Sequence, residues 1–200
     1  MPVSRLFPLL PAICGCIFPT LAAASDADLR LPGSVVAAIL QQINELRASL
    51  NQPDMPALVW DADLADFAAH TAGGCKMAHT SNAQRSQITN WLGRYAGENL
   101  AIGYRSGMRL SDGNDAAKLN QYFSQAIRGW WQEQADYDYA SNRCAPGKMC
   151  GHYTQLAWRQ TSKIGCGLVM CDPLPDYGRL GYNLACNFMP GGNIVGQWPY

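Results

Sequence analysis

Two of the three histidines in this 200-residue chain lie close behind a cysteine: His79 follows Cys75 by four residues, and His152 follows Cys150 by two. A disulfide at either cysteine would fix the backbone next to an imidazole, the side chain suited to proton transfer near neutral pH and to ligating a divalent metal. Two glutamates stand where a carboxylate needs a partner. Glu98 sits among small and apolar residues in YAGENLA, and Glu133 follows Trp130 by three and Ala126 by seven, beside the apolar stripe of a helix. Burying a bare carboxylate is costly, so each calls for a hydrogen bond or a counter-charge. Taken singly, each of these four residues reads first as a structural side chain, solvated, salt-bridged or packed at a core edge. His70 falls inside a helical stretch and receives no role.

Cysteine usage sets the compartment. MPVSR, LFPLLPAICGCIF and LAAAS read as the basic, apolar and small-residue regions of a signal peptide over residues 1–24, with Ser25 as the first mature residue. Its apolar run is shorter than a membrane-spanning helix needs. Removing it takes away Arg5, which leaves 14 basic against 15 acidic residues, a net charge of −1 with no basic patch. That composition excludes nucleic acid as a partner class. Cys14 and Cys16 leave too. The remaining Cys75, Cys144, Cys150, Cys166, Cys171 and Cys186 read as three disulfides in a secreted protein, with 15 pairings open.

The elements that must carry these residues follow from periodicity. After a lead-in over 25–33, Val36, Ile39, Leu40, Ile43, Leu46 and Leu50 mark one face of a helix. Asp61 caps a second helix with Leu64, Ala65, Phe67, Ala68 and Ala72 inward, stopped by Gly73 and Gly74. Residues 80–114 read as long loops with short structure around NWLGRY. Asp115 opens the clearest helix, striped by Leu119, Tyr122, Phe123, Ala126, Ile127, Trp130 and Trp131. HYTQLAW, GCGLVMC and LGYNLACNF read as strands, so His152 is expected to open a strand. Helices first and strands last give an α+β class.

GHYTQLAW, TSKIGCGLVMC and LACNFMPGGNIVGQWPY resemble the signature regions of the CAP superfamily of cysteine-rich secretory, antigen-five and pathogenesis-related-one proteins. NELR, LVWDADLADFA, CKMAHT, GENLA and WWQEQADYDY fall in the family's order, from about residue 34 to Tyr200. Ile43, Thr80 and Phe188 depart from the usual histidine, serine and tyrosine. The resemblance implies a CAP domain over 34–200, a three-layer α-β-α sandwich with a small antiparallel sheet, and a cleft lined by His79, Glu98, Glu133 and His152. It also implies the bridges Cys75–Cys171, Cys144–Cys150 and Cys166–Cys186. Functionally it implies a secreted, non-enzymatic binder of sterols or fatty acids, monomeric or weakly dimeric, acting in defence or host interaction. The aromatic residues Trp130, Trp131, Tyr137 and Tyr139 are expected to border the lipid groove. In that cleft the resemblance implies zinc or another divalent cation on His79 and His152, with the carboxylates orienting the rings. Two alternatives accompany the binder reading: a metal-dependent hydrolase or peptidase in which Glu98 or Glu133 is the base for a metal-activated water, the weaker because catalytic zinc usually has three protein ligands, and the precursor of a signalling peptide over 190–200.

Overall fold

The computed structural model describes residues 30–88 and 95–200. The signal-peptide expectation, and most of NWLGRY, lie outside them. Helix α1 (Gly33–Ala48) leads to a two-residue strand β1 (Val59–Trp60), helix α2 (Ala62–Gly73) and a single turn α3 (Asn82–Arg85). Strand β2 (Gly97–Gly103) precedes the long helix α4 (Ala116–Gln132), and a 3-10 turn (Glu133–Asp136) continues from it. A small hairpin, β3 (Tyr137–Asp138) and β4 (Arg143–Cys144), leads to helix α5 (Gly151–Leu156). Two long strands, β5 (Lys163–Leu174) and β6 (Arg179–Met189), follow. The main sheet has the order β1-β5-β6-β2, antiparallel except where β1 runs parallel to β5. Among the described residues no helix is long and apolar enough to cross a membrane.

The layers follow from where apolar side chains point. On one face of the sheet, Val35, Ile39 and Ile43 of α1 and Leu119, Phe123 and Ile127 of α4 pack over Ile164, Leu184 and Phe188. On the other face α2 lies close, through Leu64 beside Met189 and Ala68 beside Leu100 and Ala185. Its approach depends on glycine in β5: a Cβ at Gly165 would collide with the backbone of Leu64 and Ala65, and one at Gly167 with that of Ala69. The result is the three-layer α+β sandwich that the resemblance implied. The three bridges Cys75–Cys171, Cys144–Cys150 and Cys166–Cys186 are all formed.

Local readings differ in three places. The buried face of α1 is Val35, Ile39, Ile43 and Arg47, so the face turns away from Val36, Leu40 and Leu46 and includes a charge. The loop expected over 80–114 contains β2, the edge strand that pairs with β6. HYTQLAW is not a strand. His152 stands in α5, because distant groups take up the backbone at both ends of that turn, as described below.

Asp61 caps α2, accepting the Leu64 N–H at 3.1 Å, and pairs with Lys163 Nζ at 2.7 Å. Burial pushes its carboxyl pKa up, but the Lys163 hydrogen bond, the Leu64 N–H and the Lys163 charge outweigh that and hold it below the usual carboxylate range. A depressed folded-state value gives stability that is complete above the unfolded pKa of about 3.9 and is lost as pH falls through the folded one. Asp61→Asn keeps a capping side chain and removes the ion pair. We expect it to cost about 1 kcal/mol at neutral pH, with the difference from wild type shrinking as pH falls below the usual carboxylate range. Urea unfolding at neutral pH and in acid measures this, and a gap that does not change with pH would refute it.

Candidate functional site: two carboxylate-clamped histidines

Glu98 is the second residue of β2, opposite Asn187 of β6, and its side chain is 1 % exposed. Oε1 accepts from His79 Nδ1 at 2.9 Å, from the Thr80 N–H at 2.9 Å and from Arg85 Nη1 at 3.3 Å. Oε2 accepts from the Thr80 hydroxyl at 2.8 Å and from Asn187 Nδ2 at 3.4 Å. Burial raises the pKa of this carboxyl; the bonds from His79 and Thr80 and the Arg85 charge more than compensate, holding it below the usual range. Glu98 therefore remains an anion that gathers the loop after α2. The Cys75–Cys171 bridge pins the start of the same loop to the end of β5.

Glu133 opens the 3-10 turn after α4 and does the equivalent for α5. Oε1 accepts from His152 Nδ1 at 2.6 Å, and Oε2 accepts from the backbone N–H groups of His152 at 3.0 Å and Tyr153 at 3.2 Å. The residue before α5, Cys150, supplies no side-chain cap, so Glu133 fills that role from another element. A carboxylate at the positive end of a helix is electrostatically favoured as well. This capping is why an aromatic and β-branched stretch winds into a helix here.

The two halves repeat one arrangement. In each, a glutamate holds the histidine by Nδ1 and the next residue by its N–H. A carboxylate only accepts, so Nδ1 carries a proton in both rings, and the neutral tautomer this selects has its lone pair on Nε2. Asn99 couples the halves: it follows Glu98 in β2 and donates Nδ2 to the His152 carbonyl at 3.1 Å. The exposures differ, with the His79 side chain 57 % exposed and that of His152 12 %. His70 is exposed on α2.

A carboxylate on Nδ1 fixes the ring and leaves Nε2 as the atom that can ligate a metal, so the donor set suits a divalent cation such as zinc. Among the described residues no three His, Cys, Asp or Glu side chains gather as a metal-binding group. The candidate ligands are therefore His79 and His152, with other positions left to water. Thr80 gives its hydroxyl proton to Glu98, and no base activates it.

Removing Glu133 tests the clamp. We expect Glu133→Ala to leave the His152 and Tyr153 N–H groups without their acceptor and to cost about 2 kcal/mol. Glu133→Gln, which keeps one acceptor oxygen, should cost about half as much. Chemical denaturation gives both values, and equal costs would refute the capping account.

The aromatic residues expected along a lipid groove divide. Trp130 is 4 % exposed, donates its indole N–H to the Leu100 carbonyl at 3.1 Å and stacks on His152 with ring centroids 5.8 Å apart. It serves the core and the histidine rather than an open wall, because the stripe position that buries it points at the sheet. Trp131 packs edge-on against Tyr153. Tyr137 lines a surface pocket of about 420 Å³ with Ile194, Val195 and Pro199, and Tyr139 stacks on Tyr200. Segment 190–200 is stitched down: Arg159 N–H donates to the Pro199 carbonyl at 2.6 Å, Asn142 Nδ2 to Gln197 at 2.9 Å, and the Trp198 indole to Tyr139 at 2.8 Å.

The clamps' supporting residues were not singled out from sequence as site residues: Arg85, Asn99 and Asn187. Asn187 directly follows Cys186, and that adjacency is the one local signal it carries.

Known proteins share both sequence and fold. The model of the cysteine-rich secretory protein family, CAP, matches residues 40–188. The chain is 35 % identical over 161 residues to a pathogenesis-related protein of PR-1 type from Sambucus nigra, covering 78 % of this chain and 77 % of that one. It is 37 % identical over 147 residues to pathogenesis-related protein 1B of Nicotiana tabacum, covering 72 % and 69 %. Among solved structures, BmVAL-1 superposes with a TM-score of 0.64 at 23 % identity, covering 86 % of this chain and 84 % of that one. The structure of NaASP2 with Zn2+ also gives 0.64, at 22 % identity, covering 89 % and 90 %. The extent of the family match and the identity to the plant proteins together establish that this chain belongs to the CAP family, with pathogenesis-related-one-type proteins among its relatives.

Proposed function

We propose that this is an exported, non-enzymatic binding protein that carries fatty acids or sterols and holds a divalent cation at His79 and His152, acting in defence or host interaction. The observation that supports the lipid reading is a pocket of about 430 Å³ between α1 and α4, lined on one side by Ala38, Ile39, Ala117 and Phe123 and on the other by the polar side chains of Gln42, Asn120, Gln121 and Ser124. Small-molecule sites of this kind have roughly this size, apolar walls and a few polar groups that orient the ligand. Asn120 Oδ1 is buried there with no hydrogen-bond partner. A turn of that side chain towards the pocket would let a ligand hydroxyl or a protonated carboxyl satisfy it. Two imidazoles clamped at Nδ1 by carboxylates support the cation, and NaASP2, a protein of the same fold, has been solved with Zn2+. When bound, the metal would supply a Lewis acid, while this chain's residues fix the imidazole tautomers and orientation. The hydrolase reading gains nothing from two histidines and an engaged Thr80 hydroxyl.

The test is direct binding of a fatty acid and of a sterol to the purified mature chain, with and without zinc. Ala117 is exposed at the pocket mouth. Ala117→Trp should abolish saturable fatty-acid binding while leaving the fold intact, and Glu133→Ala should weaken zinc binding alone. Saturable binding that Ala117→Trp leaves unchanged would refute the α1–α4 site. Hydrolysis of a peptide library by wild type but not by Glu133→Ala would replace the carrier with an enzyme.

A further inference from the structure

Two exposed arginines stand on tyrosine rings where β2 stops and β5 turns into β6, towards the end of α4 away from Glu133. The Arg179 guanidinium lies over Tyr104, 4.9 Å from the ring centroid. That of Arg105 lies 5.5 Å from the centroid of Tyr122 and donates to Gln121 Oε1 at 2.9 Å. Tyr104 also meets Tyr177, with ring centroids 5.0 Å apart and planes tilted by 42°. These two rings stay 42 % and 40 % exposed.

Separate pieces of sequence build this surface. Gly103 ends β2 opposite Tyr182 of β6, and a Cβ there would collide with the Tyr182 ring. A Cβ on Gly181 would stand 3.1 Å from the Cβ of Tyr104. The two glycines thus let Tyr182 turn inward onto Tyr122, with centroids 4.6 Å apart, and let Tyr104 lie against β6. Tyr177 is fixed by the hairpin turn: its N–H and that of Gly178 both donate to the Leu174 carbonyl, at 3.1 and 2.9 Å. None of the ion pairs among the described residues includes Arg105 or Arg179. Of the acids at this end, Asp112 is buried and accepts the Tyr122 hydroxyl at 2.7 Å. Asp172 and Asp176, exposed on the β5–β6 hairpin, pair with neither arginine. Stacking fixes the plane of a guanidinium and presents its fork of N–H donors to a two-oxygen acid.

We propose that this surface binds an acidic polysaccharide built of uronic acids, with Arg105 and Arg179 taking its carboxylates and Tyr104 and Tyr177 lying against its sugar rings. A uronic acid carries a counterpart for each feature. Its planar carboxylate fits the guanidinium fork at two points. The polarised C–H groups of a pyranose face are drawn to the negative face of an aromatic ring, while the sugar hydroxyls stay in water. An acidic peptide would supply the carboxylates but no repeating ring for the tyrosines. The half-exposed rings form an open surface, which suits a polymer lying across it and engaging both arginines at once. The second contact then gains from the first. The surface shares only Gln121 with the α1–α4 pocket, and neither histidine clamp contributes to it.

The experiment measures binding of polygalacturonate to the full mature chain by calorimetry, beside its methyl ester, polyglutamate and dextran sulfate. Wild type should bind polygalacturonate saturably, more weakly as salt rises, and should not bind the uncharged methyl ester. Arg105→Gln/Arg179→Gln, two exposed positions, should weaken binding about tenfold. Tyr177→Ala, confined to the hairpin tip and leaving both charges, should weaken it about threefold and leave any polyglutamate binding unchanged. Thermal unfolding checks that each variant keeps the fold. No saturable binding of polygalacturonate, or binding that the arginine variant leaves unchanged, overturns the proposal. Polyglutamate bound as tightly as polygalacturonate also overturns it and assigns an acidic protein segment. Dextran sulfate bound more tightly would replace the carboxylate with a sulfate and overturn the uronic-acid assignment. Fatty-acid binding blocked by Ala117→Trp reports on the α1–α4 pocket, so either reading can fail while the other stands.

Discussion

Arg47→Ala should lose about 3–5 kcal/mol of folding stability, a large part of what a domain this size possesses. Arg47 is 1 % exposed, on the core face of α1. Every N–H of its guanidinium is used. Nε and Nη2 donate to the Pro56 carbonyl at 3.2 and 2.9 Å, and Nη2 also to Thr161 at 3.0 Å. Nη1 donates to Leu156 at 2.7 Å and Trp158 at 3.0 Å. Five donors thus serve four carbonyls, and none of the ion pairs among the described residues includes this arginine. Burial lowers its pKa to about 10, which leaves it charged at neutral pH. Removing the side chain opens a cavity and strands the Pro56, Leu156 and Thr161 carbonyls, each costing on the order of 1 kcal/mol or more, while Trp158 keeps the Thr161 N–H at 3.1 Å. Arg47→Lys keeps the charge but has three donors on one point, so it should recover less than half of the loss. Urea unfolding of the three proteins decides the matter. A cost for Arg47→Ala under about 1 kcal/mol would show that these carbonyls find other partners.

The same residue explains how α5 is held. Leu156 ends that helix, and Trp158 and Thr161 follow it. Arg47 therefore takes up the carbonyls leaving α5 while Glu133 takes up the N–H groups entering it. Both groups are more than a dozen residues away in sequence. No local window over HYTQLAW contains either, and local propensity alone points to a strand there. Arg47 was equally hidden. A charge at the fourth position of a core stripe breaks the apolar pattern, so the face of α1 read from sequence turned towards Leu40 and Leu46. By contrast, α4 was legible nearly residue by residue, because its stripe is apolar throughout and opens on a capping Asp115. Strand β2 was not: GENLAIG is a short edge strand with a glycine at each end and shows no alternation of buried and exposed residues. The four cleft residues could be named from their motifs, but which glutamate holds which histidine depends on where β2 and α4 end in space.

The second large effect concerns the loop that carries His79. Replacing both Cys75 and Cys171 should cost about 4–5 kcal/mol, because that bridge closes 96 residues, whereas removing Cys144–Cys150, six apart, should cost about 2 kcal/mol. The ranking follows from the freedom each cross-link denies the unfolded chain. The longer bridge has a second task. Cys75 has φ near 53°, in the left-handed region that favours glycine, and it sits directly after α2. A side chain there costs about 1 kcal/mol, which the cross-link and the Glu98 hydrogen bonds must offset. Two double variants separate the contributions. Cys75→Ala/Cys171→Ala loses the bridge and keeps the strained side chain, while Cys75→Gly/Cys171→Ala loses the bridge and relieves the strain. The glycine variant should be the more stable by about 1 kcal/mol. Thermal unfolding ranks the set, and zinc titration follows the site: without the tether, Glu98 alone must keep His79 in place, so zinc affinity should fall in both variants. If the glycine variant gains no stability over the alanine one, the left-handed turn at Cys75 is not strained. If Cys75–Cys171 proves no more costly to lose than Cys144–Cys150, the unfolded chain already keeps α2 near the end of β5.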